Sequence, residues 1–341
     1  TYNTMKRYKD ALQDFERAIE IDPNYKWVQG QRGYTYSKMN LYKDALKELD
    51  HAIESDPNNR WAIANRGYTY SNMKLYKDAL QDFDRAIEID PDYKWAIVHR
   101  GQIHRKMKRY KDALQDFERA IEIGPNERWA IANRGYTYLC MKRYEDALKD
   151  FDRVIEIDPN DKWAVLQRGD TYRKMKRYED ALKDFNHAIK IDPNYDYAFR
   201  NRGLIYLMLG YYKEALVDLN RAIELKDSSN WRLYLRALIY KALNQPDKAK
   251  NDLANAVKLA KSKYDENPQD WQNTLNLAIY YVAADYITTA KQLYELALFQ
   301  NALPGYIDEA IQDLDDFLTV FPEHKEAQAM RELLDGKDGQ F

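Results

Sequence analysis

The ten residues WAIANRGYTY occur twice in this chain of 341 residues, at 61–70 and again, letter for letter, at 129–138. The two copies start 68 positions apart, and the sequence around them repeats with half that spacing. One glycine register keeps this step: Gly33, Gly67, Gly101, Gly135, Gly169 and Gly203. So does the tryptophan that opens the copied stretch: Trp27, Trp61, Trp95, Trp129 and Trp163, with Tyr197 in the next slot. A fixed period of this length predicts an array of similar supersecondary units.

Each unit has the pattern of a helical hairpin. In residues 94–127, apolar and small residues form two runs with spacings of three and four, which places each run on one face of a helix. A proline that recurs with the same period as the glycine, Pro125 in this unit, ends the second helix. Glycine inside a helix costs about 1 kcal/mol relative to alanine. Its recurrence therefore predicts that the second helix of the same hairpin crosses close by, through a small residue such as Ala147 opposite Gly135.

These residues resemble the tetratricopeptide repeat, or TPR. The slots that carry the resemblance are Gly67, Tyr70, Ala79, Phe83, Ala86 and Pro91, and their equivalents in the other units. The resemblance implies an all-α fold: a right-handed α-solenoid of about nineteen helices in helical hairpins, with the first helices lining a concave groove. The chain departs from the family at the residue before the glycine, where the usual leucine is replaced by arginine: Arg32, Arg66, Arg100, Arg134, Arg168 and Arg202.

The register divides the chain into five parts. Residues 1–25 are a truncated first repeat, mainly its second helix, and residues 26–229 are six regular 34-residue repeats. A divergent seventh repeat with an extended second helix follows at 230–264, then a divergent eighth at 265–304, then an acidic C-terminal helical cap with a disordered tail at 305–341. Because residue 1 falls in the middle of a first helix, we expect a fragment of a longer protein. The array resembles the C-terminal repeats of bacterial signalling and sensor proteins.

Composition narrows the class of protein. The single cysteine, Cys140, excludes an intramolecular disulfide framework and a cysteine-based zinc site. No apolar run is long enough to span a membrane, and the first residues lack the apolar core of a signal peptide, so we expect a cytoplasmic protein. The net charge of −2 conceals an asymmetry, since residues 264–341 carry −11 and residues 1–263 carry +9. This asymmetry keeps a structural alternative open, in which the array packs on its parent or on a second copy.

Catalytic and metal-binding motifs are absent from the sequence. There is no GxxxxGK[ST], HExxH, GxSxG or paired CxxC motif, so we predict a non-enzymatic protein with no cofactor and no metal. Asp313, Asp315 and Asp316 superficially suggest calcium, but the loop glycine and the distal glutamate of a calcium loop are missing. We interpret these three aspartates as a solvated acidic helix face.

The candidate site is a column of aromatic and polar residues opposite the packing stripe of the first helices. Its members are spaced i, i+4 and i+7 in four units: Trp61, Asn65 and Tyr68; Trp95, His99 and Gln102; Trp129, Asn133 and Tyr136; Trp163, Gln167 and Asp170. They predict a groove that binds a protein or peptide segment. For the tryptophans we favour packing against the preceding hairpin over ligand contact. For the Asn, His and Gln column we favour binding over simple solvation. A nucleic-acid ligand is disfavoured, because an acidic residue follows each basic segment on the next helix.

Overall fold

The computed structural model describes residues 7–22, 26–226 and 229–336. These residues form nineteen α-helices and no β-strand, which confirms the all-α prediction. The tail residues 337–341 and part of the truncated N-terminal segment, residues 1–6 and 23–25, lie outside the described residues. The helices are α1 (Tyr8–Ile21), α2 (Lys26–Lys38), α3 (Tyr42–Ser55), α4 (Arg60–Asn72), α5 (Tyr76–Ile89), α6 (Lys94–Lys106), α7 (Tyr110–Ile123), α8 (Arg128–Cys140), α9 (Tyr144–Ile157), α10 (Lys162–Lys174), α11 (Tyr178–Ile191), α12 (Asp196–Met208), α13 (Tyr212–Leu225), α14 (Asn230–Ala242), α15 (Pro246–Glu266), α16 (Trp271–Ala283), α17 (Ile287–Phe299), α18 (Pro304–Val320) and α19 (Lys325–Asp335).

The chain divides into two compact units, residues 1–157 and residues 158–341. In unit 1, helices α2 to α9 pair in sequence order as hairpins, and each second helix also packs against the first helix of the next hairpin. The first helices contact one another as well, α2 with α4, α4 with α6 and α6 with α8. Their solvent-facing sides therefore join into one surface, which we call the first-helix surface of unit 1.

Unit 2 has the same plan until its last helices. Four hairpins run from α10 to α17, and the first helices α10, α12, α14 and α16 contact their neighbours to form the first-helix surface of unit 2. Helix α18 does not extend this stack. It contacts α12 and α16, both first helices, and α19 then packs against α17 and α18. Helix α18 therefore lies across the first-helix surface of its own unit.

The repeat glycine lies where the second helix of the hairpin passes close by. A Cβ atom added at Gly135 would lie 3.0 Å from the Cβ of Asp150 and 3.1 Å from the ring of Phe151. At Gly67 the nearest atoms are the Cβ of Asp82, at 3.1 Å, and the carbonyl oxygen of Ala79, at 3.2 Å. The predicted close approach of the second helix is therefore present. The small residue takes part through its carbonyl oxygen at Gly67, whereas at Gly135 the nearest atoms belong to Asp150 and Phe151.

The arginine before the glycine forms a forked ion pair across the hairpin. In the fourth regular repeat, Arg134 Nε lies 2.9 Å from one oxygen of Asp150 and Nη2 lies 2.7 Å from the other. The same two-point contact, always sixteen residues apart, recurs in six hairpins: Arg66–Asp82, Arg100–Asp116, Arg134–Asp150, Arg168–Asp184, Arg202–Asp218 and Arg236–Asp252. Two N–H groups on one carboxylate fix geometry as well as charge. This pairing explains why arginine replaces the leucine of other repeats.

The turn inside each hairpin holds one residue in the left-handed region. These residues with positive φ are Asn40, Lys74, Lys108, Lys142, Lys176, Gly210, Asn244 and Asp285. The step between them equals the repeat period up to Asn244 and is longer from Asn244 to Asp285, because the extended helix α15 lies between those two turns. Asn301, between α17 and α18, also has positive φ. None of the described helices is both long and apolar enough to cross a bilayer.

Candidate functional site

The twelve predicted site residues fall on four first helices, three of them in unit 1 and one in unit 2. Trp61, Asn65 and Tyr68 lie on α4, Trp95, His99 and Gln102 on α6, and Trp129, Asn133 and Tyr136 on α8. Trp163, Gln167 and Asp170 lie on α10 and belong to unit 2.

The tryptophans of unit 1 contact the hairpin before them. The ring centroid of Trp95 lies 5.9 Å from that of Tyr68 and 6.1 Å from that of Phe83, both in the preceding hairpin. The ring of Trp61 likewise lies 6.1 Å from that of Tyr34. These contacts are the ones that the packing interpretation requires. The packing leaves the column of unit 1 open at Trp129, which is 36% exposed. In unit 2, Trp163 is 37% exposed.

The asparagines of the column are buried, so the alternative of solvated amides is wrong for them. Asn65 is 3% exposed and Asn133 is 5% exposed. Each donates its amide to the carbonyl oxygen of the tryptophan one turn earlier, over 2.7 Å for Asn65 to Trp61 and 2.8 Å for Asn133 to Trp129. The Asn133 oxygen also accepts from Gln102 Nε2 at 3.1 Å. The asparagines therefore hold the column in place and leave little surface for a ligand.

His99 joins three helices within the column. Its ring centroid lies 4.1 Å from that of Trp95, 4.7 Å from Trp129 and 5.1 Å from Tyr68. It also stacks on Phe83 with an angle of 9° between the ring planes. Burial lowers the pKa of His99 to about 3, so the imidazole is neutral at pH 7. In this state His99 acts as a polar aromatic spacer between successive repeats.

Three cations of unit 1 accompany the column and were missing from the predicted set. Lys38 Nζ lies 3.1 Å from the Tyr68 hydroxyl and 4.4 Å from the centre of its ring. The Arg105 guanidinium lies 4.6 Å from the ring centre of Tyr136, and its Nη1 donates to the Asn133 oxygen at 3.2 Å. Burial lowers the pKa of Arg105, and burial together with the Arg105 charge lowers that of Lys106.

These cations differ from the paired arginines of the hairpins. Within the described parts of the chain, no carboxylate forms an ion pair with Lys38, Arg105 or Lys106. The sequence carried a signal for them, because Lys38 and Lys106 occupy the same slot two repeats apart. The repeat period therefore could have placed them beside the column.

In unit 2 the corresponding cation is paired with an acidic helix. Arg173 on α10 lies 2.9 Å from Asp170, one of the predicted site residues, and 2.9 Å from Asp316 on α18. Burial alone would raise the pKa of Asp170, but Arg173 and Lys174 hold it below its usual value. Gln167, the remaining member of the set, is partly buried on the same helix.

The interpretation of α18 as a solvated acidic face is wrong for two of its three aspartates. Burial, together with the neighbouring Asp316 and Glu309, raises the pKa of Asp313 well above its ordinary value. The side chain of Asp316 is only 13% exposed. Asp315 alone fits the expectation, since it is 42% exposed and pairs with Arg331 at 2.8 Å. The two inward aspartates turn toward the first-helix surface of unit 2.

A small cavity lies beneath α18. Its lining is Leu204, Leu207, Trp231, Tyr234, Leu235, Leu238, Asp313, Asp316, Phe317 and Val320. Leu204 and Leu238 occupy the slots that Tyr68 and Tyr136 hold in unit 1, and Trp231 continues the tryptophan register. The column that is open in unit 1 is therefore apolar and covered in this part of unit 2.

Residues suited to other chemistry are scattered. The described residues contain no group of three or more His, Cys, Asp or Glu side chains that could hold a metal ion. Cys140 is exposed at the end of α8.

Comparison with known proteins gives a consistent family. Models described as tetratricopeptide repeat match residues 4–65, 61–93, 95–127, 129–161, 151–183, 200–229 and 232–263, and one described as TPR repeat matches 169–210. A crystal structure of a tetratricopeptide repeat protein from Parabacteroides merdae ATCC 43184 is 20% identical, with a TM-score of 0.57, and the alignment covers 72% of this chain and 93% of that one. PilW, a type IV pilus biogenesis factor, is 21% identical, with a TM-score of 0.53 and coverage of 57% and 91%. No curated protein matches the chain significantly.

Proposed function

Since the chain belongs to the tetratricopeptide repeat family, whose arrays serve as protein–protein interaction modules, we propose that the first-helix surface of unit 1 binds a protein or peptide segment. The array would then act as a sensing or scaffolding module. The observation that carries the proposal is the combination of an open aromatic column with cations that no carboxylate of the described residues neutralises.

The aromatic residues suit a recognition surface because their positions are fixed before any ligand arrives. Trp129 and Tyr136 lie on one helix and are held by contacts with His99 and Arg105 of the preceding first helix. Rigid aromatic side chains offer contact area with little loss of side-chain entropy on binding. The buried asparagines add to this rigidity, since Asn133 ties α8 to Gln102 and Arg105 of α6.

The cations give the first-helix surface of unit 1 a positive charge. A partly buried cation without a counter-charge is destabilising, so it persists where it has a use or where its stem packs on apolar surface. Arg105 rests on a tyrosine ring, which offsets part of its desolvation. Burial alone would lower the pKa of Lys38, but its hydrogen bond to Tyr68 raises it above the ordinary value. A ligand that brings acceptor groups to Arg105 and Lys106 would supply the counter-charge that these two cations lack.

Capture of partners from lysate by the full chain tests the proposal. The parent is compared with a variant carrying Trp129→Ala and Tyr136→Ala and with a control carrying Tyr211→Ala, which removes a ring that is 54% exposed in unit 2. All three proteins are checked for folding by circular dichroism. We expect a partner that the parent and the control retain and the double variant loses. Identical capture by all three proteins would count against binding on this surface.

Self-association is the second candidate, favoured by the charge asymmetry of +9 and −11 between residues 1–263 and 264–341. Part of the negative region is already neutralised inside unit 2, where Asp316 pairs with Arg173 and Asp285 with Lys241. An association of this kind would weaken as salt screens the charges. Sedimentation at low and high salt separates the two cases, and a monomer mass at both would exclude self-association.

A further inference from the structure

We infer that the partner of unit 1 presents an acidic amphipathic helix, with a carboxylate that reaches Arg105 and Lys106 and apolar residues on the same face. This inference rests on the proposed function and adds the chemistry of the ligand. It follows from comparing one pair of residues with its equivalent two repeats later, where such a helix is present.

The two pairs occupy the same position in their repeats. Arg105 and Lys106 end α6, and Arg173 and Lys174 end α10, two repeat periods further along the chain. The repeat period places both pairs on a first-helix surface, next to the last turn of the candidate column. The same backbone thus presents the same two cations in each unit.

In unit 2, a carboxylate of α18 meets the cation pair, since Asp316 forms an ion pair with Arg173 at 2.9 Å. Asp313 lies one turn earlier on α18, and burial raises its pKa well above the ordinary value, so the docked helix favours its protonated form. Burial alone would lower the pKa of Arg173, but Asp170 and Asp316 raise it above its ordinary value. Phe317 and Val320 extend the contact as apolar residues over Trp231 and Tyr234.

In unit 1 the cation pair has no such counterpart among the described residues. The slot of Asp170 is filled by Gln102 in α6, so the helix itself supplies no carboxylate. Burial lowers the pKa of both Arg105 and Lys106, and the neighbours that raise the pKa of Arg105 are Cys140, Tyr136 and Tyr110. The arginine of the pair therefore has a carboxylate partner on the docked helix in unit 2, and its equivalent in unit 1 has none among the described residues.

The packing of α18 gives the chemistry of the missing partner. Its inward face combines aspartates at i and i+3 with apolar residues at i+4 and i+7, namely Asp313, Asp316, Phe317 and Val320. In unit 1, Arg105 and Lys106 would bind the carboxylate, and Tyr136, which fills the slot of the cavity-lining Leu204, would contact the apolar residues. Carboxylates on arginine form strong charge-assisted hydrogen bonds, which set both the position and the direction of the helix.

The probe is a labelled peptide with the sequence of residues 304–320, titrated into the full chain and followed by fluorescence anisotropy. We expect binding that weakens about tenfold or more in an Arg105→Gln, Lys106→Gln variant, since paired charges at an interface contribute on this scale. A peptide with Asn in place of Asp316 should show a similar loss. Arg143→Gln, which removes a rim arginine that pairs with Asp146 at 2.6 Å, is the matched control and should leave the affinity unchanged.

Several outcomes would overturn the inference. One is failure of the peptide to bind the folded chain, and another is equal binding to the parent and to the Arg105→Gln, Lys106→Gln variant. Loss of binding in Arg173→Gln alone would show that the peptide displaces α18 from unit 2 and does not recognise unit 1. The Trp129→Ala, Tyr136→Ala variant could lose a lysate partner that the Arg105→Gln, Lys106→Gln variant retains. This result would support the proposed function and contradict the inference of an acidic helix.

Discussion

At the scale of single residues, Arg134 shows how one side chain determines the interior of a hairpin. It donates two hydrogen bonds to Asp150, a carboxylate whose side chain is 6% exposed. Substituting Arg134→Leu restores the residue that most repeats of this family carry but leaves the Asp150 charge buried without its partner. We expect a loss of about 3 kcal/mol in the free energy of unfolding, measured by urea denaturation.

Substituting both residues separates two contributions to the free energy of unfolding: the loss from leaving Asp150 unpaired, and the net contribution of the intact ion pair. A buried ion pair replaced on both sides by apolar residues is often neutral. The double variant Arg134→Leu, Asp150→Leu should therefore recover most of the stability that the single variant loses. A double variant that is as unstable as the single one would indicate that packing around Asp150, and not its charge, determines the effect.

His99 predicts how the stability of unit 1 depends on pH. Its pKa falls from 6.5 to about 3 on folding, so the unfolded chain takes up a proton that the folded chain excludes. Stability is therefore complete above pH 6.5 and is lost as the pH falls toward 3, by about 1.4 kcal/mol for each pH unit. The urea midpoint should fall between pH 7 and pH 5.

His99→Gln removes this contribution and serves as the matched control. The position equivalent to His99 two repeats later is occupied by Gln167, and a glutamine side chain does not titrate. Burial also lowers the pKa of His104, and that contribution persists in the variant. An equal fall of the urea midpoint in the parent and the variant would show that His99 does not exclude the proton.

Sequence and structure diverge most clearly at the buried polar residues. The sixteen-residue spacing between Arg134 and Asp150 is visible in the sequence, yet periodicity alone cannot tell a buried ion pair from two solvated charges. The spacing of Asn133 predicts the helix face on which it lies. It does not predict that the side chain is buried against the backbone carbonyl of Trp129. Helical periodicity gives the direction of a side chain, whereas its burial depends on what the neighbouring helix brings.

At the scale of elements, the turn between the two helices of a hairpin depends on one residue with positive φ. Gly210 has φ of +79°, and a Cβ added there would meet nothing within 4 Å. Gly210→Ala therefore tests the backbone alone, and we expect a loss of about 1 kcal/mol in urea denaturation. Gly210→Asn should lose less, because asparagine tolerates this region better. Equal losses would point to a cause other than the left-handed conformation.

Helix α18 shows what an amphipathic pattern leaves open. The pattern predicts a helix with one buried face and one solvated face. Because Asp313, Asp315 and Asp316 are acidic, we interpreted the face that carries them as the solvated one. It does not identify the surface on which the helix docks. Arg173 of α10 lies 143 residues before Asp316, so no local spacing links the two residues that fix this contact.

The docking of α18 should depend on pH through Asp313. Its pKa is raised, so the docked state favours the protonated acid. Docking is then complete below pH 3.8, the ordinary value, and weakens as the pH rises toward the raised pKa. The charged and titratable groups that face Asp313 are Asp316, Glu309, Arg173, Lys174, Tyr234, Tyr280 and Tyr294.

Trp231 provides the readout, since it lines the same cavity. Its environment should become more polar as the pH rises, and a matched Trp231→Phe variant identifies its share of the fluorescence. Asp313→Asn should remove most of the change, because asparagine stays neutral throughout. A pH response that survives in Asp313→Asn would assign the effect to another group.

At the scale of the whole molecule, almost every contact joins helices that are close in sequence. Within each unit, the helices of the repeats pack mainly on the one before and the one after, and α18 is the main exception. A stack of this kind behaves as a chain of neighbouring interactions, in which a local defect spreads only a few units. This is also why the sequence predicts most of the fold, because the same local rules recur at every step.

Hydrogen exchange of the full chain tests this locality. Arg134→Leu weakens the α8/α9 hairpin, so amides there should exchange faster, and those of the adjoining α6 and α7 should follow to a smaller extent. Amides of α14 to α17, in unit 2, should exchange at the parent rate. If the substitution instead raised exchange evenly along the chain, the array would unfold as one cooperative body. A surface formed by successive first helices would then depend on every repeat at once, whereas local coupling lets the column of unit 1 tolerate changes in unit 2.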